Sequence, residues 1–152
     1  MARLALSNLR KVGGVRYSAE ERAFAERIHA TLSAGAEALG SEERVLPLST
    51  ADGTASTDLA DVSWNVPTVE VETATWVPGT PAHTWQAVAA GGTGIGGKGM
   101  LVAAKAMALT AAGLFADPRH LEAARADFDR RRGGVTYAPR IGDRQPAPDY
   151  RK

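Results

Sequence analysis

Residues 100–115 are an alanine-rich stretch with apolar side chains on nearly every side and one charge, Lys105. A helix that is apolar all round must be covered on more than one face. The stretch therefore predicts a buried helix with further layers of chain around it. It falls short of the ~20 residues that a bilayer requires, so a membrane span is not expected.

The covering layers are read from the flanking segments. Residues 67–77 alternate, with Val69, Val71, Thr73 and Thr75 on one side and Thr68, Glu70, Glu72 and Ala74 on the other. That β-branched, period-two pattern predicts a strand, stopped by Pro78-Gly79-Thr80-Pro81. Ser18-Ala19-Glu20-Glu21 reads as a capping box. It opens a helix over about 19–38 with Phe24, Ile28 and Leu32 on one face and Gly40 as its stop. Asp117-Pro118 starts another helix, with Leu121, Ala124 and Phe128 as its stripe and Gly133-Gly134 as its end. Leu4, Leu6 and Leu9 suggest a short strand or a frayed segment. The glycines of 91–97 read as a loop. The fold class expected is α/β, a sheet flanked by helices, with residues 1–17 as an entry segment, 18–134 as the folded unit and 135–152 as an extended tail.

At 152 residues the chain has the size of about one domain. A net charge of +1 gives no electrostatic case for nucleic acid or an anionic membrane. The lack of cysteine excludes disulfides, thiolate metal sites and a cysteine nucleophile, and fits a cytoplasmic location. The N-terminal segment has no long apolar run of the signal-peptide kind.

Several residues could carry chemistry. His83 follows the strand-ending turn and is either a metal ligand or a structural turn histidine. Ser56, Thr57, Asp58 and Asp61 offer side-chain oxygens that either cap a short helix from about Asp61 or orient a neighbour. Gly92, Gly94 and Gly97 match G-x-G-x-x-G, and Gly97-Lys98 matches the end of a P-loop. Gly99, however, stands where a P-loop needs a hydroxyl, and no acidic residue closes a strand about 20 residues on. Lys98 opposes the dipole of the helix it begins, which suggests either an anion contact or a solvated lysine. Trp64, Trp76 and Trp85 could line an aromatic pocket or fill a core. His29 and His120 read as surface residues, and Arg130-Arg131-Arg132 as favourable charge at a helix end.

Three segments together carry a resemblance: Ser56-Thr57-Asp58-Leu59-Ala60-Asp61-Val62-Ser63-Trp64, Gly79-Thr80-Pro81-Ala82-His83-Thr84-Trp85-Gln86, and Gly91-Gly92-Thr93-Gly94-Ile95-Gly96-Gly97-Lys98-Gly99-Met100. They resemble the C-terminal, metal-binding part of the M20-type metallo-amidohydrolases, of the kind that includes the aminobenzoyl-glutamate hydrolases. The likeness extends over about residues 15–135. Gly97 departs from it, since a histidine is expected there.

The resemblance implies the C-terminal portion of a zinc-peptidase-like catalytic domain, with residues 1–17 returning from a lid domain outside this chain. It implies cleavage of an amide between an aminobenzoyl or acyl group and an amino acid, with two divalent metals, zinc or manganese. His83 would be a metal ligand. Thr57, Asp58, Asp61, Trp85 and Lys98 would support the metal or contact substrate. The general base and the first-half His-x-Asp ligand pair are absent here, since His29, His83 and His120 all lack an Asp two residues on. The chain alone is therefore expected to be inactive. It would need a missing N-terminal half or a partner subunit, in a homo- or heterodimer. The alternatives are a non-catalytic partner of a related hydrolase and a nucleotide-binding module built on residues 91–99.

Overall fold

The computed structural model describes residues 1–49, 57–139, 142–145 and 147–149. Ser56 lies outside them. The element order is α1 (Ala2–Val12), α2 (Ala19–His29), a 3-10 turn (Ser41–Glu43), α3 (Leu59–Ser63), α4 (Trp85–Gly91), α5 (Gly94–Ala116) and α6 (Pro118–Arg132).

The described residues contain helices and no strand, which corrects the expected α/β sheet. The reason is visible at 67–77. There Val69, Val71, Thr73 and Thr75 are half-buried, while Thr68, Glu70 and Glu72 are exposed. The two-residue rhythm is present, but a strand exists only through a ladder with another strand. Among the described residues no backbone N–H of 68–77 donates to a backbone carbonyl. The segment instead lies along the helices, with the Thr73 hydroxyl donating to the Gly99 carbonyl at 3.0 Å and the Tyr17 hydroxyl to the Trp76 carbonyl at 3.3 Å.

The N-terminal segment is also helical, not a strand or a frayed end. Leu4, Ala5, Asn8, Leu9 and Val12 recur at helical spacing and are all buried or half-buried. Helix α1 packs on α5, where the buried Asn8 amide donates to Thr110 Oγ1 at 3.3 Å. Thr110 in turn donates to the Ala106 carbonyl at 2.7 Å, so these buried polar groups are satisfied. Gly13, at φ 86, ends the helix.

The capping box is in place. Ser18 Oγ accepts from the Glu21 N–H at 3.2 Å, and Glu21 accepts from the Ser18 N–H at 2.6 Å. Helix α2 stops at His29, short of the expected end, and Gly35, inside the expected span, stands at φ 88, outside helical geometry. Its Ala25 and Ile28 form the core with Val77, Ala90 and Ile95, against which Tyr17 and Phe24 pack.

The glycine-rich stretch is helix from Gly94 onward, not a loop. Thr93 caps α5 by accepting from the Ile95 N–H. The glycines serve close approach: a Cβ at Gly96 would strike the Gly91 carbonyl, and one at Gly99 would strike the Ala74 carbonyl. Helix α6 begins as expected, with Asp117 accepting from the Arg119 N–H at 3.0 Å and Pro118 in its first turn.

The composition of α5 predicts burial on more than one side, and the structure differs. Among the described residues α1, α4, α6 and the segment 67–77 cover part of its surface, while Met100, Leu101, Met107, Leu109 and Phe115 are exposed. The fully buried side chains are small, Ile95, Val15 and Val77 being the largest. At 23 residues and a mean hydropathy of 1.6, α5 meets the length and composition of a membrane-crossing helix. Lys98 and Lys105 interrupt it.

Candidate functional site

The turn before α4 positions His83. Val77 and Pro78 are buried anchors, and the Thr80 N–H donates to the Val77 carbonyl at 3.1 Å. Gly79, at φ 77, lets the chain cross close to Ala36. Thr84 then caps α4, accepting from the Ala87 N–H at 3.3 Å and donating to the Pro81 carbonyl at 2.8 Å. Between these fixed points the backbone of His83 is held at φ 61, the one positive φ outside glycine among the described residues. L-residues enter that region at a cost, histidine less rarely than most.

The His83 ring is exposed, and no hydrogen bond holds it among the described residues. It lines a cleft of about 550 Å³ with Trp76, Thr84, Trp85, Ala87 and Val88. The sequence therefore foresaw three lining residues, Trp76, His83 and Trp85, in one place, whereas Trp64 does not line the cleft. It did not single out Val88, whose signal is an exposed valine one turn after Trp85 on α4.

The remaining candidates go elsewhere. Thr57 Oγ1 accepts from the Leu59 N–H at 3.2 Å, so it serves the start of α3. Asp58 precedes α3 without a side-chain capping bond, and Asp61 lies inside the helix instead of capping it. The Asp61 carboxylate accepts from the Tyr137 hydroxyl, whose ring stacks on Trp64 with centroids 6.3 Å apart. This bond raises the Tyr137 pKa. It also ties the start of the expected tail to α3. Thr57, Asp58 and Asp61 do not line the His83 cleft.

Lys98 donates to Glu21 and, at 2.9 Å, to the Arg16 carbonyl. The Lys98 ammonium and the Ser18 N–H hold the Glu21 carboxyl below its ordinary pKa. Glu21 Oε1 stands 2.5 Å from where a Cβ of Gly94 would project. A protein carboxylate thus occupies the N-terminus of α5, the place where a P-loop holds its phosphate. Lys98 instead lines a second cleft with Val12, Gly13, Gly14, Val15, Arg16, Leu101, Val102 and Lys105.

A catalytic metal requires about three protein donors. Among the described residues no group of three His, Asp or Glu side chains is placed to hold one. His83 offers a single imidazole, so the described residues alone do not fit a divalent metal.

No family model matches the chain, and no solved structure matches it. A curated relative does. It is 40% identical over a 130-residue alignment that covers 69% of this chain and 27% of the relative. The chain thus spans about a quarter of the length of the protein it matches. This chain resembles that relative, the B subunit of p-aminobenzoyl-glutamate hydrolase from Escherichia coli (strain K12).

Proposed function

We propose that this chain is the C-terminal part of the catalytic unit of an M20-type amidohydrolase, acting on an amide between an aminobenzoyl or acyl group and an amino acid. In this reading His83 is one donor to a zinc or manganese site whose other ligands, with the general base, come from a second polypeptide. The observation that carries it is His83 itself. Its imidazole is exposed, without a hydrogen-bond partner among the described residues and held at positive φ on the lip of a cleft. A merely structural histidine gains nothing from such a backbone. The relative's name supports the substrate class and describes that protein as a subunit, which accords with a partner covering the exposed face of α5.

The test is reconstitution. The pure chain, with manganese or zinc added, releases no 4-aminobenzoate from 4-aminobenzoyl-glutamate. The chain mixed with a polypeptide covering the rest of the relative's length does release it. Activity in the pure chain, or none in a folded mixture, contradicts the reading. The alternative of a nucleotide-binding module is disfavoured by Glu21, which already stands at the helix terminus that such a ligand would need.

A further inference from the structure

The cleft beside His83 has a composition that distinguishes the two halves of an arylamide. Its lining is Trp76, His83, Thr84, Trp85, Ala87 and Val88, with no lysine, arginine or acid among them. Trp76, Trp85 and Val88 are 37%, 59% and 79% exposed. Indoles left open to water at a concave surface are unusual, because each is a large apolar face that gains by being covered. The volume of about 550 Å³ accommodates a single ring with room to spare. A dicarboxylate, by contrast, would find no cation here to replace its lost hydration.

Resting on the hydrolase reading above, we infer that this cleft is the aryl subsite, taking the flat aromatic acyl group of the substrate. The amino-acid half points away from it. Trp85 and Trp76 supply stacking faces, and Val88 closes the outer edge on the next turn of α4. Trp76 is anchored by its backbone beside the cleft. Its backbone carbonyl accepts from Tyr17, and its Nε1 lies 3.6 Å from the position a Gly91 Cβ would take. Glycine at 91 leaves that edge of the indole uncovered. The ring thereby lies beside His83, so an amide carbonyl attached to it comes close to the imidazole.

Saturation-transfer NMR on the 152-residue chain tests this, with 4-aminobenzoyl-glutamate as the probe. The ring protons should gain at least about threefold more saturation than the glutamyl methylene protons, because only the ring meets the indoles. Trp85→Ala and Val88→Ser, both at exposed positions, should each reduce ring saturation at least about twofold while leaving the circular dichroism spectrum unchanged. Free 4-aminobenzoate should compete, and free glutamate should not. Equal saturation of both halves, no saturation, or saturation indifferent to both variants overturns the inference. The outcome is separable from that of the hydrolase reading. Reconstituted activity with no ring contact at Trp85 sinks only the aryl subsite. Ring binding with no reconstituted activity sinks the hydrolase.

Discussion

Glu21 and Lys98, 77 positions apart, form an ion pair that joins the first turn of α2 to the first turns of α5. One carboxylate closes the capping box, neutralises Lys98 and faces the N-terminal dipole of α5. The helix start that resembles a phosphate loop in sequence is thereby an internal junction.

The junction makes stability depend on acid pH. The Glu21 carboxyl is held below its ordinary pKa by Lys98 first and the Ser18 N–H second. Its contribution is therefore fully present above the ordinary value of 4.5 and is lost as pH falls through the lowered one. Urea midpoints measured from about pH 6 downward should fall below pH 4.5, and Glu21→Gln should flatten that fall. An unchanged slope in Glu21→Gln would count against the pair.

Glu42 is a buried carboxylate, and nothing in the local sequence separates it from Glu43. Its side chain is 1% exposed, paired with Arg22 at 3.3 Å, and accepts from the Gly40 N–H at 2.6 Å. Glu42→Ala leaves that N–H and Arg22 unpaired and should cost about 2 kcal/mol. Glu43→Ala, at an exposed position, should stay within about 0.5 kcal/mol. Equal denaturation midpoints for the two variants would contradict the assignment.

Glycines two residues apart on α5 should respond with opposite sign. At Gly99 an added Cβ would meet the Ala74 backbone and Thr75, whereas at Gly97 it meets open space. Gly99→Ala should destabilise by about 1–3 kcal/mol through overpacking. Gly97→Ala should stabilise by roughly 0.5–1 kcal/mol through helix propensity. Thermal melts of the two variants settle the comparison, and shifts of the same sign would contradict the close crossing of 67–77 over α5.

The exposed face of α5 should drive association. Met107 and Phe115 are 57% and 89% exposed, and apolar side chains left open on one helix are candidates for association. Sedimentation should show species heavier than the 15.9 kDa monomer. Met107→Lys with Phe115→Glu should shift the chain toward monomer without lowering its melting temperature. A wild-type monomer at all concentrations would oppose a partner surface here.

The features legible in the sequence are those decided within a few residues. Ser18 with Glu21, and Asp117 with Pro118, cap helices where local hydrogen bonding demands it. The alternation is equally readable, and burial follows it from Thr68 to Thr73, after which Ala74 is half-buried as well. What the sequence hides depends on residues far along the chain or beyond it. A period-two segment becomes a sheet only when another strand meets it, and none among the described residues does. The composition of α5 calls for cover, which the described residues supply over only part of its surface. Residues 91–97 read as a loop because five of the seven are glycine, whereas Gly96 is there for close approach by Gly91. At the site, His83 and Trp85 are legible together because they share one turn. Thr57, Asp58 and Asp61 join them only by resemblance, and nothing local shows that Tyr137 holds Asp61.

The most direct measurement of the central claim is the activity of the reconstituted assembly with His83 replaced. His83→Gly removes the imidazole and relaxes the backbone at φ 61, so its melting temperature should equal or exceed that of the unaltered chain. The account predicts that this variant associates with the completing polypeptide as the wild type does, yet releases no 4-aminobenzoate from 4-aminobenzoyl-glutamate. Activity retained in the folded His83→Gly assembly would contradict the role given to His83.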